Sequence, residues 1–380
     1  MLKYSLGLDI AKLKFDACLS VIDVSQRVVV KATRQFSNDE KGCRSLVEWI
    51  DKHQKLKEIP LVICMEATGI YYEFCAFYLN KSGFDVSIIL PNKAKKYLQS
   101  LGLKSKNDSI DAKGLAQMGA EQKLKLWQPM GEFFYKLRSL TRQLQTMQEL
   151  KTMVMNQKHA TSFAMYELKF VLKQQKEMIL MYEKQIKKLN VEIEKQLQSN
   201  KTVADKVEKM ATIKGVGILT IAVILAETNG FELFTSASQL VSYSGYDSIE
   251  NQSGSHTGKT RMSKKGNSRN RRALFMPAFC AVKNKQSVFA NLYNRIYSKS
   301  NIKMKAYVAV QKKLLVIMYA LWKRDEIYIN PITNSRDEEQ ATTSPLPQTS
   351  KKIVPTKVAL HKVINSIDVS QFDSSPYLQI

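Results

Sequence analysis

The stretch Tyr4–Phe36, YSLGLDIAKLKFDACLSVIDVSQRVVVKATRQF, decides how the rest of the chain is read. Three short runs within it, LGLDIA, FDACLSVID and VVVKATRQF, are apolar or β-branched and are separated by tight connections. That is the pattern of three successive strands. Working outward, a helical stretch is expected at about residues 38–54, followed by the apolar strand PLVICME, which ends at Glu66. TGIYYEFCAFYLNKSG reads as a helix with Gly83 as its stop signal, and DVSIILP as a fifth strand terminated by Pro91.

A three-strand meander followed by alternating helices and strands is the element order of the ribonuclease-H-like fold, an order that other α/β folds share at their start. The expected organisation is an α/β domain over residues 1–125, then a helical coiled-coil linker over 132–200. A mainly helical domain over 203–329 follows, and a disordered tail over 330–380. In the linker, Leu137, Leu140, Leu144, Met147 and Val154 form a heptad-like seam. Either an antiparallel hairpin or an intermolecular coiled coil satisfies it. A plain helical spacer and a dimerisation arm are equally compatible. In the tail, five of the nine prolines fall between Pro331 and Pro376 among Ser, Thr and Gln, a composition that does not favour a packed core.

Charge narrows the function. The 58 Lys and Arg outnumber the 34 Asp and Glu, giving a net charge of +24. Such a surplus repels itself unless a polyanion neutralises it, and nucleic acid is the usual one. No single basic amphipathic helix carries the excess, which argues against a membrane surface. No apolar run approaches the roughly 18–20 residues that span a bilayer, and the N-terminus lacks a signal-peptide layout. A cytoplasmic, nucleoid-associated protein is expected. Five cysteines without a CxxC pair give neither a disulfide framework nor a thiolate zinc site.

Four carboxylates stand where such a fold exposes its chemistry. Asp9 lies within the first strand, Glu66 where a buried strand emerges, and Asp108 and Asp111 in KNDSIDAKGLAQ, three apart and so on one helical face. An Asp in an apolar strand is costly unless paired or bound to a cation, and hard divalent ions favour oxygen ligands. Two such ions can activate the attacking oxygen and stabilise the leaving one in phosphoryl transfer. Flanking Lys104, Lys106 and Lys113 are placed to hold a nucleic-acid backbone. Any one of these acids taken alone is more often structural. Asp16, Asp23 and Glu73 are expected to be merely solvated. Sugar-kinase and actin-like ATPases also begin with a strand Asp, but they need Gly-rich phosphate loops that this chain lacks.

In ATIKGVGILTIAVILAE, the Gly215–Val216–Gly217 turn leads into an apolar helix, like a helix–hairpin–helix element whose amides bind phosphate. A plain tight turn between packed helices reads equally well. Between Lys259 and Arg272, seven of fourteen residues are Lys or Arg and none is acidic. Gly254, Gly258 and Gly266 are expected to leave this segment mobile. Its serines, Ser253, Ser255, Ser263 and Ser268, are candidate nucleophiles because nearby cations stabilise an alkoxide. A turn or phosphate-contact role is the commoner one for any single serine.

Taken together, LGLDIAK, CMEATGIYYE, KNDSIDA, IKGVG…AVILAE and SYSGYDSIENQSG…GKTRMSKKGNSRNRRAL resemble the DEDD-type bacterial insertion-sequence transposases. These are related to the Piv-type DNA invertases and described as bridge-RNA-guided recombinases. The resemblance covers about residues 4–325. It implies a RuvC-like domain binding Mg²⁺ (or Mn²⁺) through Asp9, Glu66, Asp108 and Asp111. It also implies a serine that becomes joined to DNA, with Ser253 at the family's Ser–Gly position and Ser255 and Ser268 as alternatives. Lys259, Arg261, Lys264, Arg271 and Arg272 would hold phosphates. Donor and target DNA, a structured guide RNA and a homodimer or tetramer are the implied partners. Two other readings compete: a RuvC-like junction nuclease acting by hydrolysis, and a non-catalytic nucleic-acid scaffold.

Overall fold

Along β1 (Lys3–Ile10) the large side chains of Tyr4, Leu6, Leu8 and Ile10 alternate with Ser5, Gly7 and Asp9. The strand therefore has one bulky face and one thin face. A computed structural model of the chain describes residues 2–102, 107–166, 168–254, 256–258, 260–285 and 287–329. β1 pairs antiparallel with β2 (Lys14–Ile22), and β2 pairs antiparallel with β3 (Val28–Ser37) across a register shift at Leu19/Ser20. Beyond α1 (Glu40–His53), β4 (Leu61–Glu66) joins the free side of β1 in parallel. Beyond α2 (Tyr71–Lys81), β5 (Asp85–Ile89) joins β4 in parallel. The resulting strand order, 3-2-1-4-5, is compatible with the ribonuclease-H-like expectation.

Helices α1 and α2 cover the bulky face. Tyr4, Leu6, Leu8, Phe15 and Leu19 pack there with Leu46, Ile50 and Leu79, each large apolar side chain contributing about 1.5–3 kcal/mol by its burial. Pro91 ends β5 as expected, but it also opens a further helix, α3 (Pro91–Ser100). A proline is well tolerated there because the first-turn N–H has no partner to lose. The thin face receives α4 (Asp108–Glu121), whose Ala112 and Ala116 pack on Cys18. Contact is so close that a Cβ on Gly7 would lie 2.1 Å from the Ala112 carbonyl oxygen and 2.3 Å from the Ala116 nitrogen. At the other end of the helix, a Cβ on Gly119 would lie 2.2 Å from Ser5 Oγ.

The chain then returns along β5, where Trp127 N–H donates to the Val86 carbonyl (2.7 Å) and Ser87 Oγ donates to that of Lys125 (2.9 Å). Two long helices follow, α5 (Glu132–Ser162) and α6 (Lys169–Gln198). Contacts between them fall in reverse order, Phe133 with Gln196, Lys151 with Glu183 and Thr161 with Gln175, so the pair is antiparallel within one chain. Leu137, Leu144 and Val154 of the seam are buried.

The remaining elements are α7 (Lys201–Ala211), α8 (Ile218–Thr228), α9 (Ala237–Tyr243), and the short strands β6 (Ser248–Ile249), β7 (Gln252–Ser253), β8 (His256–Thr257) and β9 (Arg261–Met262). After these come α10 (Ser268–Ala273), α11 (Phe275–Lys283), α12 (Ser287–Ser300) and α13 (Lys303–Arg324). Their core, including Met210, Ile221, Leu225, Phe231, Phe289 and Leu314, takes in Leu137 and Leu144 of α5 and Ile193 and Leu197 of α6. Lys104, Lys106, Ser255, Lys259 and the 330–380 tail lie outside the described residues. Among those described, no helix is long and apolar enough to cross a membrane.

Candidate active site

The thin face of β1 explains how Asp108 and Asp111 come within electrostatic reach of Asp9, with Glu66 beside them. Asp9 lies two residues beyond Gly7, so it points to the α4 side at the penultimate position of the strand rather than mid-strand. Because Gly7 admits the α4 backbone at Ala112, the preceding turn, carrying Asp108 and Asp111, comes beside Asp9. Asn107 caps that helix, its Oδ1 accepting from Ile110 N–H at 2.8 Å. Both acids sit in the first turn, where unpaired N–H groups favour negative charge. Glu66 ends β4, one residue past the Leu8–Met65 register pair.

Electrostatics report the gathering directly. Burial, then the carboxylates of Asp111, Asp108, Glu66 and Asp16 in that order, push the Asp9 carboxyl up from 3.8 to about 6. None of the four acids forms an ion pair with Lys or Arg among the described residues. All are hard oxygen donors, the chemistry that suits a divalent cation. As placed, no three acidic, His or Cys side chains among the described residues are close enough together to grip one ion.

Two expectations about neighbouring acids need correction. Asp16 is not simply solvated: it is the register partner of Asp9 in the β1–β2 ladder, on the same face, and accepts from Gln35 Nε2 at 2.9 Å. The short connection from Ala11 to Lys14 fixes that register, so the pairing was readable from the hairpin. Glu73 is half-buried and joins α2 to α5, accepting from Tyr135 Oη at 2.7 Å and facing Arg138 at 3.5 Å. Asp23 does sit in an exposed turn, where Ser25 and Arg27 N–H groups donate to it.

Ser253 belongs to the C-terminal elements of the chain. It ends β7, exposed, opposite His256 across a turn at Gly254, whose φ of +55° suits glycine. No hydrogen bond or ion pair among the described residues joins it to the carboxylates. Nor is the basic segment loose where it is described. Arg261 and Met262 pair with Ile249 and Ser248, and Ser263 N–H donates to the Asp247 carbonyl at 2.7 Å. Arg271 Nη1 donates to the Ser244 carbonyl at 2.8 Å, and Arg272 pairs with Glu149 of α5. Arg261 and Lys264 are exposed. In the α7–α8 turn, Gly215 has φ +92°, and a Cβ there would meet Cys280 Cβ at 2.8 Å, so packing demands it. Gly217, at the N-cap of α8, has open space around it.

One buried group was missed in the sequence. Glu227, the only charged residue of α8, is 2% exposed. Arg142 of α5 donates to it twice, Nε at 2.8 Å and Nη2 at 3.0 Å, and Asn267 Nδ2 donates at 2.8 Å. Burial opposes its ionisation most strongly, yet Arg142 and Asn267 outweigh burial and hold the carboxyl below its usual range. Asn267 also caps α10, its Oδ1 accepting from Arg269 and Asn270 N–H. The network thus fastens the long helix α5 to the end of the basic segment. A lone Glu closing ILTIAVILAET was the available signal.

Comparison with known proteins follows the same order along the chain. A model described as the Transposase IS116/IS110/IS902 family matches residues 207–294, and a DEDD-type transposase model of the IS110 kind matches residues 6–161. The "Pilin gene-inverting protein" of Moraxella bovis and that of Moraxella lacunata are each 29% identical over 326 residues, covering 86% of this chain and 97% of theirs. The Thermus thermophilus RuvC structure aligns with 33% of this chain and 99% of its own at 11% identity and a TM-score of 0.26, too distant to bear on the fold. With two transposase models in sequence and relatives matched along nearly their whole length, the chain belongs to the IS110-type DEDD transposases, DNA-recombining enzymes, and is related to the pilin gene-inverting proteins.

Proposed function

We propose that the chain cuts and rejoins DNA with two separate groups, the carboxylates Asp9, Glu66, Asp108 and Asp111 and the hydroxyl of Ser253. The observation that supports this best is at Asp9: burial, then the carboxylates of α4, β4 and β2, raise its carboxyl to about 6, and among the described residues no Lys or Arg forms an ion pair with Asp9, Glu66, Asp108 or Asp111. Such a concentration of negative charge calls for a cation. Mg²⁺ or Mn²⁺ held by these four residues would supply Lewis-acid charge at the phosphodiester.

Ser253 is the proposed nucleophile. Its oxygen bonds to phosphorus, the bond from phosphorus to the leaving sugar oxygen breaks, and the serine proton ends on that oxygen. Reversal with a new strand end rejoins the DNA and frees the serine. Exposure on a two-residue hairpin suits this role, while Ser255 and Ser268 stay as alternatives. Lys104, Lys106, Lys259, Arg261 and Lys264 would hold backbone phosphates; Arg271 and Arg272, already engaged with Ser244 and Glu149, would also shape the segment. At the α7–α8 turn, open space at Gly217 leaves room for a phosphate near the helix N-terminus, whereas Gly215 serves packing.

The proposed division of labour is residues 1–125 for the carboxylates, 132–200 as a coiled-coil arm, 203–329 for the serine, and 330–380 as a tail. Donor and target DNA, a structured guide RNA and assembly as a dimer or tetramer complete the reading, and the cytoplasm is its place. The hydrolytic nuclease is the second reading. The curated relatives are named for inverting a gene, an outcome that needs strands rejoined, and this favours recombination.

A strand-exchange assay tests it, using purified chain, Mg²⁺, donor and target duplexes and RNA from the element's flank. Recombinant joints are expected, and both Asp9→Asn and Asp111→Asn should abolish them while DNA binding survives. Joints formed at full rate by either variant would refute the carboxylate assignment.

A further inference from the structure

Between the N-terminal sheet domain and α5 lies a cavity of about 380 Å³ that the reaction above does not use. Its walls carry six aromatic rings: Tyr72, Phe77, Trp127, Tyr135, Phe234 and Tyr243. They are held rather than loose. Phe77 packs edge-on to Trp127 at 5.0 Å between centroids, Phe234 lies 5.1 Å from Tyr243, and the Tyr135 hydroxyl is anchored on Glu73. A polar group is set among them. Asn229 lines the cavity, is 3% exposed, and sits in the left-handed region at φ +51°. Its Nδ2 donates to Glu232 Oε2 at 2.9 Å, but its buried Oδ1 has no partner. An unsatisfied buried acceptor is costly and calls for a donor.

These features specify the occupant. Volumes of roughly 300–1,000 Å³ are those of small-ligand sites. A sugar or a free phosphate would leave the aromatic lining unmatched, and an alkyl chain would leave the polar lining of Asn229, Gln128 and Lys125 unmatched. A nucleobase answers both needs, with a flat π-face to stack and ring or exocyclic N–H groups to donate. Lys125, exposed on the lining, suits the attached phosphate. We propose that this cavity receives one unstacked nucleobase from a strand bound to the enzyme, holding that strand between the carboxylate and serine portions. The proposal rests on the chain's action on nucleic acid, but not on which residues perform catalysis.

Photo-cross-linking tests it on the full chain. Mixed-sequence single-stranded DNA and RNA oligonucleotides carrying 5-iodouracil are bound in separate arms, irradiated, and the adducts mapped by mass spectrometry. An adduct on Tyr72, Trp127 or Tyr135 is expected in at least one arm, and the arm identifies the source strand. Leu126→Trp, at a half-exposed lining position, fills the space; Asn229→Gly removes the acceptor while tolerating the left-handed backbone. Each should lower the adduct yield about tenfold, Leu126→Trp by blocking the base from stacking and Asn229→Gly by removing a hydrogen-bonding partner, with thermal stability and overall strand binding retained in at least one of them. Asp9→Asn should keep the adduct, so a failed catalytic assignment and a failed cavity assignment show in different samples. Adducts confined to residues elsewhere in both arms, or yields unchanged in both cavity variants, would overturn the proposal.

Discussion

Gly7 of β1 and Ala112 of α4 meet where a side chain cannot go: a Cβ on Gly7 would stand 2.1 Å from the Ala112 carbonyl oxygen. Backbone, not a flexible side chain, is what it would strike. The first turn of α4, with Asp108 and Asp111, reaches Asp9 only because this approach is allowed.

Gly7→Ala must therefore push the helix away from the strand. Overpacking of this kind costs about 1–3 kcal/mol, occasionally more, and here it also separates the acids. A lowered melting temperature is expected, together with a loss of strand exchange larger than the stability change explains. Wild-type exchange activity in a folded Gly7→Ala chain would show that the close approach does not matter to the site.

Asp9 makes the metal-free protein sensitive to pH, and the sign is definite. Its carboxyl titrates at 3.8 when free and at about 6 in the folded chain. Below the lower value both states are protonated. Between about 4 and 6 the unfolded chain ionises first, so folding stability falls as pH rises, and above 6 the penalty is complete. Thermal melts in chelator should show Asp9→Asn more stable than wild type at pH 7, with the difference vanishing near pH 4. Added Mg²⁺ should stabilise wild type more than the variant. A variant less stable than wild type at pH 7 without metal would contradict this account.

Glu227 gives the opposite dependence. Its carboxyl is held below the ordinary range by Arg142 and Asn267 against the cost of burial, so its contribution is present above the unfolded value of 4.5 and is lost as pH falls through the lower folded value. Glu227→Gln keeps the shape but removes the charge that Arg142 grips. Because Arg142 is 42% exposed, the cost should be about 1–3 kcal/mol rather than that of a fully buried pair. Denaturant unfolding measures it, and Arg142→Met combined with Glu227→Gln should cost less than the sum of the two alone. Strict additivity would mean that the pair does not interact.

Local patterning made the sheet legible. Short apolar and β-branched runs between tight connections told strand from helix and put Asp9 on the first strand. KNDSIDA gave its two acids one helical face in advance, the first turn of α4. Helix α3 was not, because Pro91 satisfies both the end of a strand and the start of a helix. Contacts made across long sequence separations were also hidden: Glu73 with Tyr135 and Arg138, and Arg142 with Glu227. Nothing local distinguishes Glu73, Arg138 and Arg142 from solvated charges, whereas Glu227 carried a signal as the one charge in ILTIAVILAET. In the basic segment the glycines read as freedom; where described, Gly254 takes a left-handed φ of +55° and Gly266 lies against the backbone at Tyr243 and Gly245.

Strand exchange is proposed to pass through a covalent bond between DNA and Ser253. The direct measurement runs labelled donor and target DNA, flanking RNA, Mg²⁺ and the full chain on a denaturing gel. A covalent protein–DNA band is predicted, mapping to Ser253 by mass spectrometry and absent from both Ser253→Ala and Asp9→Asn. Cleaved and exchanged strands with no covalent band, or a band undiminished in Ser253→Ala, would contradict it.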